Sequence, residues 1–161
     1  MRSESQLVTF LLDGQYYALY LSAIEHVIPS IEITTLPGAP DIILGIINVH
    51  GRIIPVVNIR KRFGLPGRNL FHTDHFIIAD AAGRTVAIIT DKVSDTIEYS
   101  LDSVIPGDAI TPDLEYIDGV VKLEDGLVLI HNLKRFLALP ERQALDQVLP
   151  QSGDIHATPA A

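Results

Sequence analysis

The chain consists of short apolar, β-branched runs separated by turn signals of two or three residues. Leu7–Leu12 and Tyr16–Leu21 flank the turn Asp13-Gly14-Gln15, a pattern that is typical of a β-hairpin. A second hairpin is predicted around Glu124-Asp125-Gly126, near the end of the chain. About ten such runs with little helical periodicity predict a mainly β protein, built of small barrels or a sandwich.

The strand runs fall into two halves, which favours two small barrels within one domain. We expect the first barrel over about residues 6–66 and the second over about 72–132. A C-terminal helical segment is predicted over 133–149, with helices over 133–139 and 141–149 on either side of Pro140. The tail over 150–161 is small, polar and proline-bearing, and we expect it to be disordered.

Two further segments have local signals of their own. Ser22 can cap a short helix that continues through Val27 and ends before Pro29. Residues 100–118 are rich in Pro, Gly and Asp, which predicts a long loop.

Charge and composition argue against several classes of protein. The net charge is −8, whereas a nucleic-acid binder is normally basic. The segment 91–125 holds ten acidic and two basic residues, which indicates either a solvated face or a surface that steers a basic partner. Cys is absent, so no disulfide or thiolate site is possible. We see no signal peptide and no apolar run that approaches the roughly 20 residues of a membrane helix, and we expect a cytoplasmic protein.

Motifs of catalysis and cofactor binding are not found in the sequence, and we predict no catalytic residue, metal or cofactor. His72, Asp74 and His75 have a spacing that metal sites use, but a hydrated loop is the better interpretation. A basic cluster suggests either a phosphate site or a solvated turn, and consists of Arg60, Lys61, Arg62 and Arg68. We interpret His131, at the end of the last strand, as a structural histidine.

Leu36-Pro37 and the run from Ile42 to Arg60 closely resemble the CheW family. The stretch from Gly45, G-I-I-N-V-H-G-R-I-I-P-V-V-N-I-R, corresponds to the family's run G-x-x-N-x-R-G-x-x-x-P-V-x-D-L. Four further segments are similar to family motifs and occur in the same order: Phe10–Leu19, Ile24–Val27, Thr90–Val93 and Leu127–Leu133. The resemblance covers about residues 6–145.

This resemblance implies two small five-stranded SH3-like barrels around a shared core. It also implies a non-catalytic adaptor that couples the cytoplasmic tips of chemoreceptors to a CheA-type histidine kinase. The implied partners are the kinase's regulatory domain and the receptor's cytoplasmic helical hairpin, with no nucleic acid and no membrane insertion. Exposed apolar residues at the ends of the barrels and between them would be the docking surfaces. The residues that contact the kinase stay unassigned.

Three alternatives remain open at this point. One is an enzyme, such as a hydrolase that uses His72 and His75, which bound metal in the purified protein would favour. A CheW-type module can serve a pathway other than chemotaxis, such as surface motility or second-messenger control. A small-ligand or nucleotide-binding barrel has only the basic cluster in its favour.

Family resemblance assigns receptor binding to six residues: Ile24, His26, Gly45, Asn48, His50 and Gly51. At two of them the chain departs from the family, because the family's Glu falls on His26 and its Arg on His50. In the family these two residues face each other and can pair. Two imidazoles cannot replace that ion pair, so the change indicates neutral drift, retuned receptor specificity, or a pH-sensitive or metal-bridged contact.

Two smaller features also bear on this surface. The family's Asp in P-V-x-D-L is Asn58 here, a milder loss of charge. Gly45 interrupts an apolar strand, which indicates either the close approach of a partner's backbone or a β-bulge.

Overall fold

Strands dominate the computed structural model, which describes residues 6–110, 116–124, 126–135 and 139–149. Within these residues eleven strands are found: β1 (Gln6–Leu12), β2 (Gln15–Tyr20), β3 (Ile24–Pro29), β4 (Ile43–Val49), β5 (Arg52–Val57), β6 (His75–Ala81), β7 (Arg84–Thr90), β8 (Lys92–Glu98), β9 (Val104–Pro106), β10 (Ile117–Leu123) and β11 (Gly126–His131). The α-helices are α1 (Ile59–Arg62), α2 (Gly107–Ile110) and α3 (Leu139–Val148), and short 3-10 turns lie at Leu21–Ala23, Leu101–Ser103 and Leu133–Arg135.

The strands form one sheet of six and one of five. Their orders are β8-β1-β2-β11-β10-β9 and β3-β6-β7-β5-β4. Each sheet contains one parallel pair, β2 with β11 and β5 with β7, and its other pairs are antiparallel. The hairpin β1–β2 from the start of the chain pairs with strands from its end, since β1 lies against β8 and β2 against β11. The boundary between the two sheets therefore does not coincide with the expected division at residues 66–72.

The five-stranded sheet curls until its two edges meet. Thr34, in the segment that follows edge strand β3, exchanges two backbone hydrogen bonds with Ile46 of the other edge strand, β4. Their N–H···O distances are 2.9 Å and 2.8 Å. This contact closes the expected five-stranded barrel, so neither edge is left free along this stretch.

Alternating apolar residues divide the core into three clusters. The largest lies between the two sheets, with α3 against it, and includes Phe10, Leu12, Tyr17, Leu19, Val57, Ile77, Ala79, Val86, Ile88 and Leu145. The second uses the opposite face of the five-stranded sheet: Ile47, Ile54, Val56, Phe76, Ile78 and Ala87. The third uses the opposite face of the six-stranded sheet: Leu7, Ala18, Val121, Val128 and Ile130. Neighbours such as Ile77 and Ile78 thus serve different clusters, as a strand requires.

The predicted helix over residues 22–27 is wrong. Only Leu21–Ala23 forms a single 3-10 turn, and β3 begins at Ile24 and pairs with β6. Tertiary pairing overrides the local cap signal because Ile24, Val27 and Ile28 are β-branched and suit a strand.

The predicted loop over residues 100–118 is also wrong in part. It contains the short strand β9, which pairs with β10 and gives this sheet six strands instead of the expected five. The helix over 141–149 is present but begins two residues earlier, with Pro140 in its first turn, where a proline is tolerated. Residues 150–161 lie outside the described part of the chain. None of the described helices is long and apolar enough to cross a membrane.

Candidate protein-interaction surfaces

Three of the residues assigned to receptor binding meet in the turn between β4 and β5. His50 and Gly51 form the two-residue turn, with φ of 53° and 89°. The Asn48 side-chain oxygen accepts a hydrogen bond from the Gly51 N–H at 2.8 Å. Histidine is among the residues that tolerate left-handed backbone, so the turn accepts His50 without distortion. All three are therefore fixed in place by the hairpin.

Gly45 lies at a β-bulge in the pairing of β4 with β5. A Cβ at this position would clash with the Thr34 carbonyl oxygen and would lie 2.8 Å from Ile33 Cγ2. The β-bulge that the sequence suggested is present. The backbone that approaches Gly45 in this structure is that of Thr34 in the same chain. The absence of a side chain is thus required for closing the barrel.

Ile24 and His26 lie at the start of β3. Ile24 is half-buried and packs against the core between the sheets, whereas the His26 side chain is exposed. A register shift between these residues, opposite Ala79 and Ile78 of β6, sets their relative placement. Ile24 therefore has a structural role in the core that the resemblance did not indicate.

An ion pair joins Glu25, which precedes His26, to Arg52, which lies two residues after His50. Arg52 Nη1 lies 2.9 Å from Glu25 Oε1, and Arg52 Nη2 donates to the Thr85 hydroxyl at 3.0 Å. That hydroxyl donates in turn to Glu25 Oε2 at 3.2 Å. The hydrogen bond from Arg52 holds the pKa of Glu25 below its ordinary value. The surface therefore carries a Glu–Arg pair, but at positions 25 and 52 and not at positions 26 and 50, where the family has its Glu and Arg. The family motif does not indicate this pair.

The end of the six-stranded sheet at the β1–β2 and β10–β11 turns is apolar. Tyr16, Leu123 and Leu127 are exposed there, Leu127 with 51% of its surface. They line a cavity of about 340 Å³ together with Ile97 and the polar Asp95. Large apolar side chains grouped in this way on a folded surface mark an interaction site.

A second apolar surface lies at one end of the five-stranded sheet. Leu44 and Leu70 are exposed and line a cavity of about 320 Å³ with Arg68. Phe71 is 54% exposed, and the Arg68 guanidinium carbon lies 4.5 Å from its ring centroid. Neither apolar surface could be predicted from the sequence, because the neighbouring residues of an apolar side chain do not show whether it faces solvent or the core.

The predicted basic cluster is neutralised. Arg60 pairs with Asp91 and Arg62 with Glu141. Lys61 lies near Asp41, and Arg68 pairs with Asp74 and Asp91. These side chains consequently form ion pairs within the chain, which does not favour the phosphate site that the sequence also suggested.

The His72–Asp74–His75 spacing does not produce a metal centre. The Asp74 carboxylate accepts two hydrogen bonds from Arg68 and one from the Phe71 N–H. Across the described ranges, no three His, Asp or Glu side chains lie close enough together to hold a metal ion.

His131 is 1% exposed, with its ring edge-on to Phe63 at 5.1 Å between centroids. Burial, reinforced by the Arg62 charge, lowers its pKa to about 3. The imidazole is therefore neutral at physiological pH, which agrees with the structural interpretation.

Comparison with known proteins gives one consistent result. The model of the CheW-like domain matches residues 6–141. The protein named Chemotaxis protein CheW from Treponema pallidum is 30% identical over 146 residues, which is 87% of this chain and 86% of the relative. The one from Klebsiella aerogenes is 23% identical over 145 residues, covering 89% and 87%. The crystal structure of the scaffolding protein TtCheW from Thermoanaerobacter tengcongensis has a TM-score of 0.77 at 29% identity, and the match covers 86% of this chain and 95% of that one.

Proposed function

This chain belongs to the CheW-like domain family and has the role of a chemotaxis adaptor, and from that premise we propose which partners it joins and how. It binds the regulatory domain of a CheA-type histidine kinase and the cytoplasmic helical hairpin of a chemoreceptor, and it works in the cytoplasm without catalysing a reaction. Its relatives are named as chemotaxis proteins, so a role in another pathway or as a small-ligand barrel is not favoured.

The observation that carries this proposal is the presence of several separate surfaces on one closely packed body. An adaptor must hold two partners at once, so it needs separate preformed surfaces in a fixed relation. The apolar ends at Leu127 and Phe71 belong to different sheets, and a shared core joins those sheets. The polar surface at the β4–β5 turn and β3 provides a third.

We assign the receptor hairpin to the polar surface, with contacts from Ile24, His26, Asn48, His50 and Gly51. Gly45 supports this surface from behind because it lets the barrel close. The Glu25–Arg52 pair gives the surface fixed charges of both signs, which suits a helical partner with charged side chains.

We assign the kinase to the apolar ends of the sheets. A related β domain in the kinase can bury its own apolar turns against such an end, as interfaces with an apolar centre and a polar rim do. Leu127 and Phe71 are the best candidates for the central contacts because they are large and more than half exposed.

The test is a binding assay of the purified full chain against the kinase regulatory domain and a receptor cytoplasmic fragment from the same source. Leu127→Asp and Phe71→Asp change exposed side chains, so the fold should survive. We expect at least one of them to weaken kinase binding by tenfold or more and to leave receptor binding intact. Gln143→Asp is the control for added negative charge, because it changes an exposed residue of α3 that lines neither cavity. Folded protein that binds neither partner would overturn the proposal.

A further inference from the structure

The segment between α1 and β6 lies over one end of the five-stranded sheet with little burial of its own. Residues 66–73 are all exposed, and Leu65 and Asp74 on either side are not. Segments with few buried apolar contacts open locally at low cost unless other interactions hold them. The polar contacts of residues 66–73 therefore decide whether the segment stays in place.

Ion pairs and hydrogen bonds anchor the segment at its start, middle and end. Arg60 Nη1 donates to the Pro66 carbonyl at 2.9 Å. Arg68 makes two hydrogen bonds to Asp74, at 2.7 Å and 3.0 Å, and a third to Asp91 at 2.6 Å. Asp74 is only 1% exposed, and its backbone carbonyl accepts from the Ser30 N–H at 3.0 Å.

Asp91 connects these anchors to the rest of the fold. It lies where the chain leaves β7 of the five-stranded sheet and enters β8 of the six-stranded sheet. Its carboxylate accepts from Arg60 at 2.8 Å and 2.9 Å, from Arg68, and from the Asp13 N–H at 2.8 Å. Burial alone would raise the pKa of Asp91, but these hydrogen bonds outweigh it and leave the pKa below its ordinary value.

Residues of the segment 66–73 form one wall of the cavity of about 320 Å³ at this end of the sheet. Gly67, Arg68, Asn69 and Leu70 contribute that wall, and Val57, Ile59 and Ile89 are among the apolar residues that face it. Val57 and Ile59 are fully or almost fully buried. Moving the segment away would uncover this apolar interior.

We propose that residues 66–73 form a lid over the end of the five-stranded barrel, and that Arg68, through Asp74 and Asp91, is its latch. Because all three contacts of the latch are charge-assisted, the lid is held by ion pairs and hydrogen bonds and not by an apolar interface. If the proposed docking function holds, the latch also fixes the position of Phe71, since the guanidinium of Arg68 lies against that ring.

The test is hydrogen exchange measured on the whole chain for Arg68→Lys and Asp91→Asn. Arg68→Lys keeps the positive charge beside buried Asp74 but loses the paired geometry of the guanidinium. The Phe71 amide, which donates to the Asp74 carboxylate at 2.9 Å, is the reporter. We expect its exchange to speed up at least tenfold, with the Ile77 and Ile88 amides of β6 and β7 unchanged, and the dye ANS to bind more strongly as the cavity opens.

Arg52→Gln is the control, because it breaks an ion pair elsewhere on the same barrel and should leave the Phe71 amide unchanged. Two outcomes overturn the proposal. One is exchange and ANS binding equal to those of the unaltered chain. The other is faster exchange throughout β6 and β7, since the contacts would then support the global fold and not a separate lid. The test needs no partner protein, so it is independent of the proposed function.

Discussion

Glu25 and Arg52 form an ion pair beside the two histidines that distinguish this chain from the CheW family pattern. Glu25 precedes His26, and Arg52 lies two residues after His50. Both side chains of the pair are more than one-third exposed, at 36% and 44%, and exposed pairs contribute about 0–1 kcal/mol to stability. The pair therefore matters for what the surface presents to a partner more than for the fold.

The first prediction concerns that surface. The double variant His26→Glu, His50→Arg restores the family residues next to a Glu and an Arg that are already present. We expect it to weaken binding of the chain's own receptor fragment about tenfold, or about 1.4 kcal/mol, because the added charges alter the complementarity of the surface. Calorimetric titration measures the change, and kinase binding should be unaffected. Unchanged receptor affinity would mean that the histidines reflect neutral drift.

The second prediction concerns barrel closure at Gly45. Gly45→Ala places a methyl group against the Thr34 carbonyl and Ile33, so either the bulge or the closing hydrogen bonds must shift. We expect a loss of about 3 kcal/mol or more in the free energy of unfolding, measured with urea. Gly67→Ala is the matched control, because nothing lies within 4 Å of a Cβ there. Equal stability of the two variants would contradict the structural role of Gly45.

The third prediction concerns the β6–β7 turn, where Ala82 has a φ of 55°. Ala82-Gly83 is a two-residue hairpin turn, a place where Asn-Gly is the favoured sequence. Ala82→Asn should stabilise the protein by about 1 kcal/mol, because Asn adopts left-handed backbone at lower cost than Ala. Ala82→Val should act in the opposite direction. A higher urea midpoint for the Val variant would refute the argument.

The fourth prediction is a pH dependence caused by His131. Its pKa is about 3 in the folded chain and about 6.5 when exposed, so in this interval the unfolded chain binds the additional proton. The contribution of neutral His131 to the free energy of unfolding is complete above about pH 6.5. It is lost as the pH falls toward 3, by at most about 1.4 kcal/mol per pH unit.

Urea unfolding between pH 7 and pH 4.5 measures this dependence. His131→Leu should show a shallower loss of stability on acidification than the unaltered chain, whatever its stability at pH 7. His26→Asn, which changes an exposed histidine, is the control. If the free energy of unfolding changed with pH by the same amount in the Leu variant and in the unaltered chain, His131 would be ruled out as the cause.

Much of the secondary structure could be predicted from the sequence. The hairpin over Leu7–Tyr20 follows from two apolar runs on either side of Asp13-Gly14, because a two-residue turn with positive φ favours Asp and Gly there. The motif run from Gly45 to Arg60 likewise identified the family. Local signals failed at Ile24–Pro29, where a capping serine suggested a helix but pairing with β6 formed a strand.

Part of the candidate site could also be predicted. Asn48, His50 and Gly51 lie in one continuous motif, and the structure places them together because a hairpin turn keeps sequence neighbours close. The ion pair of Glu25 with Arg52 and the exposed apolar side chains of Leu127 and Phe71 could not be found in this way. Each depends on which residues from distant segments meet, or on which face of a strand or loop points outward.

The sequence by itself determined the strand content and the hairpin turns, which depend on residues within a few positions of one another. It also determined membership of the family, which rests on five local motifs in a fixed order. The tertiary structure decided that β2 pairs with β11, that Thr34 and Ile46 close the barrel, and that Arg68 pairs with Asp74 and Asp91. These contacts join segments that are distant in the sequence, and the local pattern of one segment does not indicate which other segment it will contact. They form because burying the three apolar clusters leaves few arrangements in which the buried polar groups are also satisfied.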